Sequence, residues 1–535
     1  MYRKNNARRG WALRATVAGA AALALTLTAC SGGSSEAPEA EAERGGNMVT
    51  VLGFDPETLN PGLTTSNDTA FIVAQVFEAL VWSDADGKPQ PLLAESWEVS
   101  DDELTYTFSL RDGVTWHDGE PFTSADVKWT FETGLENNAR AQTALKHVAA
   151  IDTPDDLTVV ITLDTPQAAF LTQMKVFDTP IMPKHVYDGT DINQNPANQA
   201  PIGTGPFVFA EWDHGSAVTL EANEDYWDEG LPYLDSITFS VMSDAAQRTI
   251  ALQTGQADFV GAFYLARADV EALEADENMV VRKQTTIPSL HFMQMNHENE
   301  YLGDKKVRQA LAYAIDRERI VEQAMSGLAV AGKGSFGNGF PWMYNEDVSY
   351  DKLYPFDPEK AKELLEDAGV PEGTNFRVTY DASKVHFQAA GAIIKDNLKQ
   401  VGIEVTLQPM EASVYKDNVY TNRDFDLAIQ SFTSSGDPAI GYHRIYVSTP
   451  TNEVNKNATG YSNPEVDELL DKAASVSDFE ERGEFYKQAQ EILNEDIPTL
   501  ILFDELQADA AGANVEGLFV GVNPMDQWKH VYLTK

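Results

Sequence analysis

The stretch LHFMQMNH, Leu290 to His297, sets His291, Met293, Met295 and His297 two residues apart. On a strand, residues two apart share a face, so four soft ligands would stand in one row and could hold copper or nickel. The same row also suits a buried strand whose core is filled with polarizable sulfur side chains. The second reading is the expectation, with no metal bound. GLAVAGKG, from Gly327, approaches a phosphate-binding loop, but Gly334 stands where Ser or Thr must reach Mg²⁺. It reads as an ordinary loop. No nucleophile elbow, HExxH or Cys–His pair occurs, and 83 Asp and Glu are too many for any two to be singled out as an acid–base couple. The chain is expected to bind without catalysing, and to need no cofactor.

Cys30 is the single cysteine in 535 residues, so an internal disulfide framework is excluded. Ahead of it, MYRKNNARRGWALR is basic without an acid, and ATVAGAAALALTLTA is apolar for about the length of a signal-peptide core, too short to span a bilayer comfortably. Residues 1–29 read as a secretory signal, and the general secretory route is favoured over the twin-arginine route. Leu27-Thr28-Ala29-Cys30 resembles the bacterial lipobox, which implies a diacylglycerol on Cys30 and a membrane anchor. Residues 30–47, rich in Gly, Ser, Pro and Glu, cannot bury enough apolar surface to fold and read as a flexible tether.

Beyond the tether no apolar run reaches membrane-spanning length, and about 490 residues suggest two or three lobes. A net charge of −44 repels nucleic acid and anionic headgroups, so neither is an expected partner. The acid excess is read as solvated surface.

Period-two alternation in LAESWEVSDDELTYTFSLRDGVTW and GPFVFAEWDHGSAVTLEAN predicts hairpins turning at Asp101-Asp102 and His214-Gly215. A short strand near Thr50, a turn at DPETLNPG and an amphipathic helix through NDTAFIVAQVFEAL precede them. The second half changes character. DPEKAKELLEDAG predicts a helix capped by Asp357, started by Pro358 and ended before Gly369, and NPEVDELLDKAA repeats the device with Asn463 and Pro464. Between them, FRVTYDASKVHFQAAGAIIKDNLKQVGIEVTLQPM reads strand, helix, strand, a parallel βαβ unit. The strand DFDLAIQSF then runs into the loop TSSGDP. Ligands collect at the carboxyl ends of such strands, which makes that loop a candidate site.

From about residue 50 the body resembles the extracellular solute-binding proteins of family five, the oligopeptide, dipeptide and nickel receptors of ABC importers. The resemblance rests on Leu92 to Glu132 and on PIGTGPFVF, NEDYW, KKVRQALAYAIDRERIV and FDPEKAKELLEDAG, in that order. It implies an α/β, two-lobed architecture of the type II periplasmic-binding kind. Lobe 1 would span 48–285 with an extra subdomain at roughly 83–199, lobe 2 would span 286–505, and 506–535 would return to lobe 1. It also implies a monomer that closes on its cargo and presents it to permease subunits.

Peptide-binding relatives hold the α-ammonium with an Asp three residues before an Asp/Glu-Pro step. Here that step is Asp437-Pro438 and the matching residue is Ser434, whose neutral hydroxyl cannot replace the charge. The carboxylate-binding Arg of dipeptide receptors is matched loosely by Asp381 or Lys384. Both departures leave longer peptides, held by their backbones, or oligosaccharides stacked on aromatics such as Trp342 and Tyr344. Thr65, Ser66 and Asn67 are expected to face Ser434, Ser435 and Asp437 across the cleft. Two readings of Asp437 stay open, ligand contact and turn or helix cap. If Cys30 carries the anchor, Cys30→Ser should release the body from membranes into the medium. Undiminished membrane retention of that variant, measured by fractionation, would contradict the anchor.

Overall fold

Alternation in the sequence becomes sheet wherever it was read. Ala94–Val99 and Thr105–Leu110 form an antiparallel pair, and the Asp102 carboxylate accepts from Leu104 N and Ser100 Oγ to close the turn. Phe207–Asp213 pairs likewise with Ala217–Ala222. The helix caps follow the sequence too. Asp357 accepts from Lys360 N (2.9 Å) ahead of the helix Pro358–Asp367, Gly369 takes φ +73°, and Asn463 accepts from Glu465 N (3.0 Å) ahead of Pro464–Ser475. The computed structural model describes residues 44–284, 288–434, 436–449, 453–521 and 528–534. The signal, Cys30 and most of the tether lie outside these.

Among the described residues two hydrophobic cores stand apart. One gathers side chains from Met48 to Leu273 and from Ala508 to Val531, joined by Leu328. The other runs from Leu290 to Phe503. The first core is built on a seven-stranded mixed sheet in which Asn47–Leu52 lies parallel to Ser236–Val241 and Phe259–Val260. A four-stranded antiparallel sheet of Ala94–Val99, Thr105–Leu110, Thr158–Leu163 and Val148–Asp155 adds to the same core. The second core holds a six-stranded sheet. There Asn375–Asp381, the helix Val385–Gln400 and Glu404–Met410 make the expected parallel βαβ unit, and Leu427–Thr433 is parallel to Asn375–Asp381. Ser289–Met295 lies between Leu427–Thr433 and Thr499–Glu505, so Met293 and Met295 are fully buried.

The two sheets are joined where the chain leaves Met279–Gln284 for Ser289–Met295 and again where Thr499–Glu505 gives way to Gln507–Gly512. Glu505 still pairs with Ala329 in the second sheet, and Gln507 already pairs with Gln284 in the first. Charged groups crowd this passage. Glu505 is held by Arg267 of lobe 1 and by His291 Nε2 (3.0 Å) of lobe 2. Asp504, 1% exposed, accepts from the backbone N (3.2 Å) and Nδ2 (2.9 Å) of Asn338, and burial pushes its carboxyl up to about 7.

The motif PIGTGPFVF is explained by close approach. Gly205 N donates to Val76 O (2.8 Å), and a β-carbon on either Gly203 or Gly205 would overlap that carbonyl. These glycines let the loop cross the end of the helix Asn67–Val76. Gly203→Ala should therefore lower stability to urea by about 1–3 kcal/mol, as overpacking does; an unchanged midpoint would contradict the close approach. Asp504 supplies a pH test. Its folded pKa lies above the unfolded value of about 3.9, so its stabilising effect is complete below about pH 4 and lost as pH rises towards 7. Over that window the urea midpoint of the native protein should fall relative to Asp504→Asn; parallel profiles would contradict it.

Candidate functional site

A cleft of about 840 Å³ opens between the two cores and draws its walls from both. On the first lobe, Thr65 and Asn67 stand at the start of the helix Asn67–Val76, and Phe71 follows one turn later on the same face. The loop before this helix is tied down by side chains. Asn138 Nδ2 donates to Pro61 O (2.7 Å) and Thr64 O (3.1 Å), while Arg140 Nη2 donates to Thr65 O and Asn67 Oδ1, both at 2.9 Å. Phe71 touches Phe177 (5.9 Å between centroids) and Phe263 (5.7 Å), which gives the wall an aromatic patch. Phe263 remains 42% exposed, so apolar surface is open to a ligand there.

Beside the patch lie Arg140, Lys175 and Asp178. Lys175 Nζ is 3.7 Å from Asp178 Oδ2. Burial raises the Asp178 carboxyl above its ordinary range, against the lowering influence of Lys175 and Arg140. Arg282, on the strand that leads out of lobe 1, also reaches the cleft, but it lies over the Phe519 ring (4.8 Å) and donates to Phe519 O (3.2 Å). Lobe 2 contributes Asn338, Phe340 and Pro341 from one loop and Thr433, Gly436 and Ile440 from the end of the Leu427–Thr433 strand. The carboxyl end of that strand thus does face the cleft.

The residues expected from sequence divide. Thr65 and Asn67 are on the wall, and Ser66 is an exposed helix-start residue between them. Ser434 is fully buried beneath the loop, with its N bonded to Pro288 O (2.8 Å) and its Oγ accepting from Gly436 N (3.2 Å). Asp437 is committed elsewhere. Its Oδ1 takes Arg482 Nη2 (2.7 Å) and Ala439 N (2.9 Å), and both charged side chains are almost wholly buried. The capping alternative is the one the geometry realises, strengthened by an ion pair whose rupture would strand a buried charge.

Trp342 turns into lobe 2, against Phe479 (5.0 Å), Tyr486 (5.7 Å) and the Arg482 guanidinium (5.1 Å). Phe340 and Pro341 reach the wall in its place and Tyr344 sits half-buried away from it, so neither Trp342 nor Tyr344 supports an oligosaccharide. Lys384 is exposed just ahead of the helix Val385–Gln400, outside the wall, and the Asp381 carboxylate is occupied by Ser383 N (2.9 Å) and Oγ (2.8 Å). Ser435 lies outside the described residues. His291 stacks on Phe503 (4.4 Å) and His297 packs on Tyr461 (5.7 Å), so the row of soft ligands is divided among separate neighbours. Sequence reasoning misses Arg140, Lys175, Phe177 and Phe263. Only Phe71 carried a signal, through its i, i+4 relation to Asn67.

Residues 88–453 match the family described as "Bacterial extracellular solute-binding proteins, family 5 Middle". The chain is 30% identical over 522 residues to the oligopeptide-binding protein AppA of Bacillus subtilis, covering 92% of this chain and 94% of that one. It is also 30% identical over 500 residues to the glutathione-binding protein GsiB of Pectobacterium atrosepticum, covering 91% and 93%. Among solved structures, the ABC transporter substrate-binding protein CtaP of Listeria monocytogenes overlays with a TM-score of 0.74 at 28% identity, covering 92% of this chain and all of that one. The B. subtilis AppA complex with a nonapeptide overlays at 0.63 and 27% identity, with 92% and 100% coverage. Two separately cored lobes, a cleft shared between them and this family match lead to one conclusion: the chain belongs to the bacterial extracellular solute-binding proteins of family 5, the extracytoplasmic capture components of ABC importers with the type II periplasmic-binding fold, and is a binding protein, not an enzyme.

Proposed function

We propose that this protein captures peptides or peptide-like solutes between its lobes, closes on them by a hinge at the two strand crossings, and delivers them as a monomer to ABC permease subunits. The lobes are taken as 48–285 with a subdomain at roughly 83–199, 286–505, and a return at 506–535. Cys30 is the proposed lipid anchor that keeps the body at the outer face of the membrane, tethered by residues 30–47.

The observation that carries the reading is the cleft itself. It is about 840 Å³, large enough for several residues of peptide, and offers aromatic surface from one side and loop backbone from the other. Thr65, Ser66 and Asn67 are the proposed lobe-1 contacts and the Thr433–Gly436 loop the proposed lobe-2 contact, where Ser434 shapes the turn from below. The occupied state of Asp437 supports backbone-held peptides over dipeptides anchored by their α-ammonium. The names of AppA and GsiB, and the nonapeptide bound to AppA, support the peptide class.

Closure around a peptide buries both walls, so it should compact the molecule. Small-angle scattering of the body with a saturating mixture of synthetic tetrapeptides, with binding verified by calorimetry, should give a smaller radius of gyration than without. Bound peptide with an unchanged radius would contradict the hinge.

A further inference from the structure

The chain as a whole has 83 acidic and 39 basic residues, yet the cleft reverses the balance. Its charged lining is Arg140, Lys175, Arg282 and Lys283 against Asp86 and Asp178, and all six belong to lobe 1 or the strand leaving it. Among the described residues, lobe 2 contributes no charged side chain to the wall. Charge recognition is therefore one-sided. Two of the cations are already committed, Lys283 to Glu274 (2.8 Å) and Arg282 to Phe519. Asp86 sits in an exposed turn.

Lys175 differs. Its side chain is 24% exposed, and its one ionic partner, Asp178, stands at 3.7 Å, too far for a good hydrogen bond. Among the described residues Asp178 is the one ionic partner of its ammonium, and a single partner leaves donors of the three for a ligand. It also reaches the seam between the lobes: a β-carbon on Gly436 would lie 3.1 Å from Lys175 Nζ, and Gly436, at φ +89°, carries none. Arg140 stands nearby, close enough for both cations to act on Asp178, and spends only Nη2 on Thr65 and Asn67.

We infer that Lys175, with Arg140 beside it, is the anion anchor of the cleft, and that the solutes held best are peptides or peptide-like molecules that place a carboxylate against lobe 1. This rests on the peptide reading above and deepens it. Half-buried ammonium and guanidinium groups form charge-assisted bonds with a carboxylate, while the acidic exterior leaves attraction of anions to the cleft alone. Lobe 2 then closes over the ligand with backbone and apolar groups, contributing shape but no charge selection.

The ligand carboxylate has two sources, a peptide C-terminus or an acidic side chain. Calorimetry with matched tetrapeptide mixtures separates them, comparing free acids with C-terminal amides and Glu-containing with Gln-containing sets. The native protein should bind the carboxylate member of at least one pair about tenfold to a hundredfold more tightly. Lys175→Met should erase that preference and Lys175→Arg should keep it. A preference in the first pair assigns the C-terminus and one in the second assigns the side chain, and either supports the anchor. Equal binding within both pairs, or a preference that survives Lys175→Met, overturns it while leaving the peptide reading intact. Failure of every mixture to bind contradicts the peptide reading and the anchor together.

Discussion

The chain leaves Met279–Gln284 of one sheet for Ser289–Met295 of the other and returns at a second crossing, where a lone residue, Leu506, separates Glu505 in one sheet from Gln507 in the other. Each lobe closes a hydrophobic core on its own sheet, with Leu328 the one described lobe-2 side chain in the first core, so displacing one lobe against the other leaves most of each core covered. The same arrangement leaves a groove between them, and the loops that line it are free to differ because the cores do not depend on them. Around the crossing Asp509 takes Ala262 N and Gln284 Nε2, both at 2.8 Å, and Glu505 is shared between Arg267 and His291, while Asp504 Oδ1, Gln507 Oε1 and His291 Nδ1 are buried without a hydrogen-bond partner among the described residues.

Electrostatics divide the labour between the lobes. Lobe 2 spends its most deeply buried charge on structure, since Arg482 lies against both Trp342 and Phe479, bonds Ala473 O (3.0 Å) and neutralises Asp437. Asp437 also lies 3.5 Å from Thr172 Oγ1 of lobe 1, and Ala168 N donates to Ala474 O (2.8 Å), so the lobes touch away from the strands as well. Lobe 1 brings Arg140, Lys175, Arg282 and Lys283 to the cleft, where low-dielectric walls strengthen their fields. An acidic receptor with a locally cationic groove is the result.

Local features were legible because their causes are local. Asp357-Pro358 and Asn463-Pro464 announced helix starts, alternation announced hairpins, and the strand–helix–strand pattern from Phe376 to Met410 announced a parallel unit. The site was legible only in part. Thr65, Asn67 and the end of the Leu427–Thr433 strand lie on the wall because strand ends and helix starts face a cleft in this kind of fold. Trp342 and Asp437 were harder, because what commits them is Arg482, more than forty residues beyond either in the chain. Lys175 and Arg140 were invisible for another reason: nothing in their spacing sets them apart from the other basic residues, and only tertiary folding brings them beside Phe71, Phe177 and Phe263.

The account stands most directly on what occupies the cleft. Native mass spectrometry of the protein, purified without denaturation or after exposure to a tryptic peptide mixture, should show an adduct that fragments into amino-acid residues. An adduct that fragments as hexoses, or none after exposure to peptides, would contradict it.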